Sequence, residues 1–228
     1  MPEVPGARAL ARRLLPASVV SWRDALDSAL VCTQGDLARL PPLDRDIAPL
    51  HVREMRMHDE AEIAAWLEVH NDAFGSAWGA EDYEREILHH PTVAVWHTYL
   101  ILDGPRAIGA ASAGVYRRNP EVGVGHFVGL RRAAHGRGLG RHLVLYRYHR
   151  LREAGIRLCE SETTLRNHES LGIHFACGFR PKPRLDAWNS PDPGDALQRG
   201  ITRWRLRRFY RRWSRERPGS PASRASRG

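Results

Sequence analysis

The segment from Gly123 to Gly140, GVGHFVGLRRAAHGRGLG, restricts the possible folds more than any other part of the chain. Its first half alternates: Val124, His126, Val128 and Leu130 fall on one face, and Gly123, Gly125, Phe127 and Gly129 on the other. A period of two predicts a strand. A short arginine-bearing connection then leads into a glycine-spaced loop, His135-Gly136-Arg137-Gly138-Leu139-Gly140. From Leu139 onward Leu143, Tyr146 and Leu151 recur at helical spacing, and Gly155 supplies a stop signal. A glycine loop between a strand and a helix N-terminus presents unpaired amides and the positive end of the helix dipole to an anion. The missing β-carbons let a phosphate come close to the backbone. The expected ligand is a pyrophosphate.

The spacing is not the G-x-x-x-x-G-K-[ST] of a nucleotide-hydrolysing loop, and no acidic residue for a ribose follows on a second strand. It resembles motif A of the GNAT N-acetyltransferase superfamily, [QR]-x-x-G-x-[GA]. Gly138 and Gly140 match, and His135 stands at the leading Gln/Arg position. A second segment, Asn167 to Phe179, is similar to motif B of that superfamily, N-x-x-A-x-x-x-Y-x-x-x-G-F. Asn167, Gly178 and Phe179 match, Ser170 replaces the small residue, and His174 takes the tyrosine position. Two motifs in the right order, with a helix and a strand between them, identify the chain as a member of the superfamily.

The resemblance covers roughly Leu50 to Trp188 and implies an α/β (α+β) GNAT fold. Such a fold has a mixed central sheet of about six to seven strands flanked by four helices. Sequence patterning supplies the same order, β-α-α-β-β-β-α-β-α-β. The predicted elements are strand His51–Met55, helices Asp59–Phe74 and Glu81–His90, and strands Val93–Leu102 and Ala107–Tyr116 about a turn at Asp103-Gly104-Pro105-Arg106. After the organising strand and helix come strand Arg157–Thr163, helix His168–Cys177 and a closing strand Phe179–Trp188. Residues 1–48 read as an N-terminal helical extension, with short helices at Ala7–Leu15 and Trp22–Leu30. By the same resemblance residues 50–190 would be the acyl-CoA-binding domain, and 195–228 read as a basic amphipathic helix with a disordered end.

By resemblance the donor is an acyl-coenzyme A, most often acetyl-CoA, and the acceptor a primary amine. The amides of Gly136, Arg137, Gly138, Leu139, Gly140 and Arg141 would hold the pyrophosphate, with His135 beside it in place of the family's longer Gln or Arg. Main-chain groups of Val128, Gly129 and Leu130 would pair with pantetheine and aim a donor at the thioester carbonyl, worth about 3 kcal/mol in other acyl-transfer sites. Asn167 would bond pantetheine or cap its helix. His126 is the candidate general base, with Glu121, Glu160 and Glu162 as competitors. His174 is the candidate acid for the leaving thiolate, and a hydrogen-bonded core histidine is the alternative at His126. Asp72, Glu81, Asp82 and Asp186 could attract a cationic amine. Trp66, Trp78 and Trp96 are read as core or pocket walls. No histidine triad suggests a metal.

The formal charge of +9 belongs to one end of the chain. From Gln198 to Gly228 there are 11 Arg and one acid, a net of +10, so the remainder sums to −1 (+9 less +10). Ile201, Trp204, Phe209, Tyr210 and Trp213 interleave with arginines there. Such a helix suits an anionic partner: an acidic peptide, RNA or a membrane surface. Packing on its own domain and a solvated arginine face are the alternatives. Cys32, Cys159 and Cys177 lack paired or metal-ligand spacing, which points to a reducing cytoplasm. No apolar run reaches membrane-span length. A homodimer is open. Two other readings stay open: a catalytically weak scaffold that binds through its basic helix, and an acyl-CoA decarboxylase pairing His174 with Thr163 or Thr164.

Overall fold

The computed structural model describes residues 30–43, 47–48, 50–182 and 193–216, with side chains for all of these but residues 30, 96 and 193–203. The expected helices at Ala7–Leu15 and Trp22–Leu30 lie outside that range, Leu30 excepted. So do residues 217–228, which contain the expected disordered end, with Asp186 and most of the expected closing strand.

The chain divides into two compact units, one made of residues 32–162 and 169–182, the other of 1–31, 163–168 and 183–228. In chain order the elements are β1 (Leu30–Asp36), β2 (His51–Glu54), α1 (Glu60–Phe74), α2 (Ala80–Tyr83), β3 (Val93–Asp103), β4 (Arg106–Tyr116) and β5 (Asn119–Leu130). There follow α3 (Leu139–Glu153), β6 (Leu158–Thr164), α4 (His168–Ala176), β7 (Arg180–Pro181) and α5 (Pro193–Glu216). The strands form one mixed seven-stranded sheet in the order β2-β3-β4-β5-β6-β1-β7.

β1 is a strand the patterning missed, because it lies in the stretch read as the N-terminal extension. Val31, Cys32 and Thr33 are all buried, at 3, 5 and 2% exposure. A strand covered on both faces shows no period of two. Its Gly35 lies so close to Phe179 that a β-carbon would meet the ring at 2.6 Å. α2 also departs from expectation: after Tyr83 it continues as a π-helical turn, Glu84–Leu88.

Two apolar clusters cover the sheet. One gathers Leu139, Leu143, Val144 and Leu151 of α3 with Phe179 and the strands, and Val128 and Leu130 pack against it. The other gathers Trp66 and Val69 of α1 with Tyr83, Ile87 and Leu100, and Phe127 packs there. α1 starts at an Asp59 cap bonded to the Glu62 amide. The buried Glu62 carboxylate accepts from Arg53 Nη1 (2.7 Å), Arg56 Nε (2.7 Å) and the Arg56 amide (2.9 Å). Burial alone would raise its pKa, but these bonds prevail and hold it at about 2.

The second unit contains α5, a 24-residue helix. Phe209 stacks on His168 at 4.9 Å. Leu206, Phe209, Tyr210 and Trp213 form a buried to half-buried stripe, while Trp204, Arg207, Arg208, Arg211 and Arg212 are exposed. No helix among the described residues is long and apolar enough to cross a membrane.

Candidate functional site

β5 is antiparallel to β4 along its whole length, but it pairs with β6 only from Val122–Leu158 to Gly125–Ser161. β5 then continues alone on that side to Leu130. The main chain of His126 to Leu130 thus has one edge without a strand partner among the described residues. Polar backbone left free at such an edge is available to a ligand.

The parting of the strands coincides with a bulge. Ser112 pairs with His126 and Ala111 with Val128, so Phe127 has no partner of its own. Its φ of 36° is the one positive value at a non-glycine residue among those described. A bulge carries one extra residue and reverses the side-chain parity beyond it. The strict alternation expected from the sequence therefore fails at this point. Val128 and Leu130 face the α3 cluster, Phe127 faces the α1 cluster, and His126 does not share a face with Val128.

His126 turns instead to the π-helical turn after α2. Its Nε2 lies 3.1 Å from the carbonyl oxygen of Glu86. A carbonyl only accepts, so Nε2 carries the proton and Nδ1 keeps the lone pair. Burial first, then the neighbouring His90 and Arg147, lower its pKa to about 4. It is neutral at pH 7 and a weak base.

The three competing carboxylates are distinguished by their neighbours. Glu121 is exposed. Glu160 is 4% exposed, paired with Lys182 Nζ at 2.7 Å and with Gln34 Nε2 at 3.0 Å. Glu162, half-buried, has its pKa raised to about 7 by burial and by the Glu160 charge. It follows directly on Ser161, the last β6 residue paired with β5.

His174 is 3% exposed. Its Nδ1 donates to the Ser170 carbonyl at 2.7 Å, so in the neutral ring Nε2 accepts, and the Tyr148 hydroxyl donates to it at 2.9 Å. Burial and the Arg147 charge push its pKa down to about 3. The histidinium expected from sequence therefore does not form near pH 7, because a cation in that dry, already positive place is too costly. The ring nitrogens bond to Ser170 and Tyr148, not to the threonines of the decarboxylase reading.

At the loop, Gly136 and Gly138 have φ of 74° and 72°, a backbone state that suits glycine. Among the described residues the amides of Gly136 to Arg141 reach no protein acceptor, and α3 starts at Gly138 without a side-chain cap. No acid occupies the first turn of α3. His135 Nε2 lies 3.1 Å from the Leu130 carbonyl, folding the loop back on the end of β5. Arg137 approaches Asp103 at 3.7 Å. Six amides without an acceptor among the described residues, a helix dipole and open space at Gly136 suit a pyrophosphate. Asn167 lies in the second unit, its amide bonded to the Thr164 carbonyl at 3.0 Å.

Of the acids expected to attract an amine, Asp72 accepts from the Arg132 amide, and Asp82 from the Gly79 amide and Arg85. Trp66 is core at 1% exposure, Trp78 is half-buried, and the Trp96 side chain lies outside the described set. Trp66, His70, Phe74 and Trp78 surround the Phe127 ring with centroids 5.3–6.3 Å away.

Sequence reasoning missed Arg147 and Tyr148. Arg147 is 2% exposed and donates from Nη1 to the carbonyls of Ser112, His126 and Phe127, each at 3.4 Å. Its Nη2 donates to the Tyr148 hydroxyl at 3.0 Å. The signal was present: Leu143, Arg147 and Leu151 share one helical face at a spacing of four.

The sequence profile described as "Acetyltransferase (GNAT) family" matches residues 63–179. No curated protein sequence matches the chain. Among solved structures, a tandem GNAT protein from the clavulanic acid biosynthesis pathway is 17% identical with a TM-score of 0.53, over 79% of this chain and 57% of that one. A GCN5-related N-acetyltransferase from Sphaerobacter thermophilus is 16% identical with a TM-score of 0.50, over 73% of this chain and 54% of that one. Aminoglycoside N-acetyltransferase AAC(6')-Iy, in complex with a bisubstrate analogue, is 19% identical with a TM-score of 0.49, over 64% of this chain and 100% of that one. This chain spans just over half the length of the first two, and at these identities the likeness is one of fold. The family profile covers just over half of the 228 residues, and the chain belongs to the GNAT acetyltransferase family, whose members use acetyl-CoA as acyl donor.

Proposed function

We propose that the protein transfers an acyl group, acetyl in the simplest case, from acyl-CoA to a primary amine within a ternary complex. The observation that carries this reading is the parting of β5 from β6 beside a helix N-terminus with unspent amides. The amides of Gly136 to Arg141 hold the pyrophosphate, and the free edge of Val128, Gly129 and Leu130 pairs with pantetheine. An amide at the bulge stabilises negative charge developing on the thioester oxygen.

The amine must lose a proton to attack. Glu162 is the better base, because a pKa of about 7 matches the working pH, while His126 at about 4 is too weak. His126 instead ties the bulge to the turn after α2. His174 orients the Tyr148 hydroxyl rather than donating a proton itself. The exposed arginine face of α5 suits an anionic partner, and three free buried cysteines suit a reducing compartment.

The test is thiol release from an acyl-CoA panel against pooled amines, with calorimetry of CoA binding alongside. Acylated amine found by mass spectrometry supports the reading. Absence of binding by any acyl-CoA refutes it.

A further inference from the structure

Arg147 is a buried cation with no buried anion to match it. At 2% exposure it forms no ion pair with any carboxylate among the described residues. Its five recorded bonds go to three carbonyls, one phenol and one neutral imidazole, at 3.0–3.4 Å. Its Nε has no partner among the described residues. Burying an unmatched charge is costly, and a fold retains one where something compensates it.

The placement of this charge is specific. Two of the three carbonyls belong to His126 and Phe127, on either side of the bulge peptide where β5 leaves β6. A β-carbon at Gly125, the last paired residue, would fall 2.6 Å from Nη2 of Arg147. The guanidinium thus lies against the backbone at the apex of the parting strands. Drawing on the carbonyls of His126 and Phe127 also polarises the amides of Phe127 and Val128, which share those peptide units.

We infer that Arg147 is a positioning residue whose buried charge favours the thiolate released when the thioester is cleaved. The inference rests on the acyl-CoA reading above. In the reaction a bond forms from the amine nitrogen to the acyl carbon, and the carbon–sulfur bond breaks with its electron pair going to sulfur. The amine proton passes to Glu162, and the sulfur leaves as thiolate. Arg147 acts through the field at the apex and through the polarised bulge amides, and gives up no proton.

The experiment uses the full chain, coenzyme A and acetyl-CoA, and needs no acceptor. Calorimetry measures both affinities from about pH 6 to about pH 10 in wild type, Arg147→Met and Arg147→Lys. Coenzyme A has an ionisable thiol and acetyl-CoA has none, so the ratio of their affinities isolates the thiolate. In wild type the ratio rises with pH in favour of coenzyme A. In Arg147→Met that rise is lost or moves up by about one pKa unit, a tenfold change in preference for thiolate over thiol. Acetyl-CoA affinity shifts much less, and Arg147→Lys restores part of the rise. A ratio profile identical in wild type and Arg147→Met overturns the inference while leaving acyl-CoA binding intact. Failure of wild type to bind either compound overturns the acyl-CoA reading itself. If Arg147→Met does not fold, Arg147→Lys with a wild-type profile counts as support only when Gly125→Ala, which displaces the guanidinium, flattens it; an unchanged profile there refutes it.

Discussion

Gly125 and Arg147 are packed so tightly that a β-carbon on residue 125 would stand 2.6 Å from Nη2 of the guanidinium and 2.6 Å from the Tyr148 hydroxyl. The glycine is there for close approach and not for backbone freedom, since its φ is not positive. A backbone strand and a buried charge therefore meet with nothing between them at the point where β5 and β6 separate.

Gly125→Ala accordingly moves Arg147 and Tyr148 rather than leaving a small local bump. The expected loss of stability is about 2 kcal/mol, the usual scale for overpacking. Chemical denaturation measures it. Gly136→Ala is the control: nothing lies within 4 Å of its β-carbon position, so only the left-handed backbone is strained, at about 1 kcal/mol.

Glu162→Gln removes the ascending limb of the pH–rate profile. With a pKa of about 7 the carboxylate form accumulates as pH rises, so wild-type turnover climbs through neutrality. His126→Gln keeps that limb, because His126 is already unprotonated above about pH 4. The comparison is made with the amine that the acyl-CoA panel identifies. A limb unchanged in Glu162→Gln removes Glu162 from the mechanism.

The same carboxyl has a signature in stability. Its folded pKa of about 7 exceeds the ordinary 4.5, so the folded state binds more protons than the unfolded state between these values. Stability therefore falls as pH rises from about 4.5 to about 7. Glu162→Gln lacks this penalty and melts higher than wild type at pH 8. Thermal unfolding at pH 4 and pH 8 checks it, the two proteins converging at the lower value.

Glu62 behaves in the opposite sense. Its folded pKa of about 2 lies below the ordinary 4.5, so its contribution is complete above about pH 4.5 and lost as pH falls towards 2. Glu62→Gln costs on the order of 2 kcal/mol at neutral pH, the scale of hydrogen bonds to a charged group. The difference from wild type shrinks steadily as unfolding is measured at lower pH.

The amphipathic helices, the hairpin at Asp103–Arg106, the glycine loop and the two motifs that reveal the family were all legible in the chain, because each is written in neighbours within about one supersecondary unit. The bulge at Phe127 was not: a period-two pattern predicts faces only while the ladder stays in register, and β4 decides where it slips. Nor was β1, whose partner β7 is remote in sequence and whose burial on both faces erases alternation. The ionisation states were equally out of reach. Glu160 and Glu162 look alike in the sequence, yet Lys182 and Gln34 bond to Glu160, while burial and the Glu160 charge raise the pKa of Glu162 to about 7. The sequence alone determined most of the helices and strands and the glycine loop that leads into α3. The tertiary structure decided which side chains share a face, which charges lose water and which protons stay, since dielectric, desolvation and partner choice are properties of the packed chain.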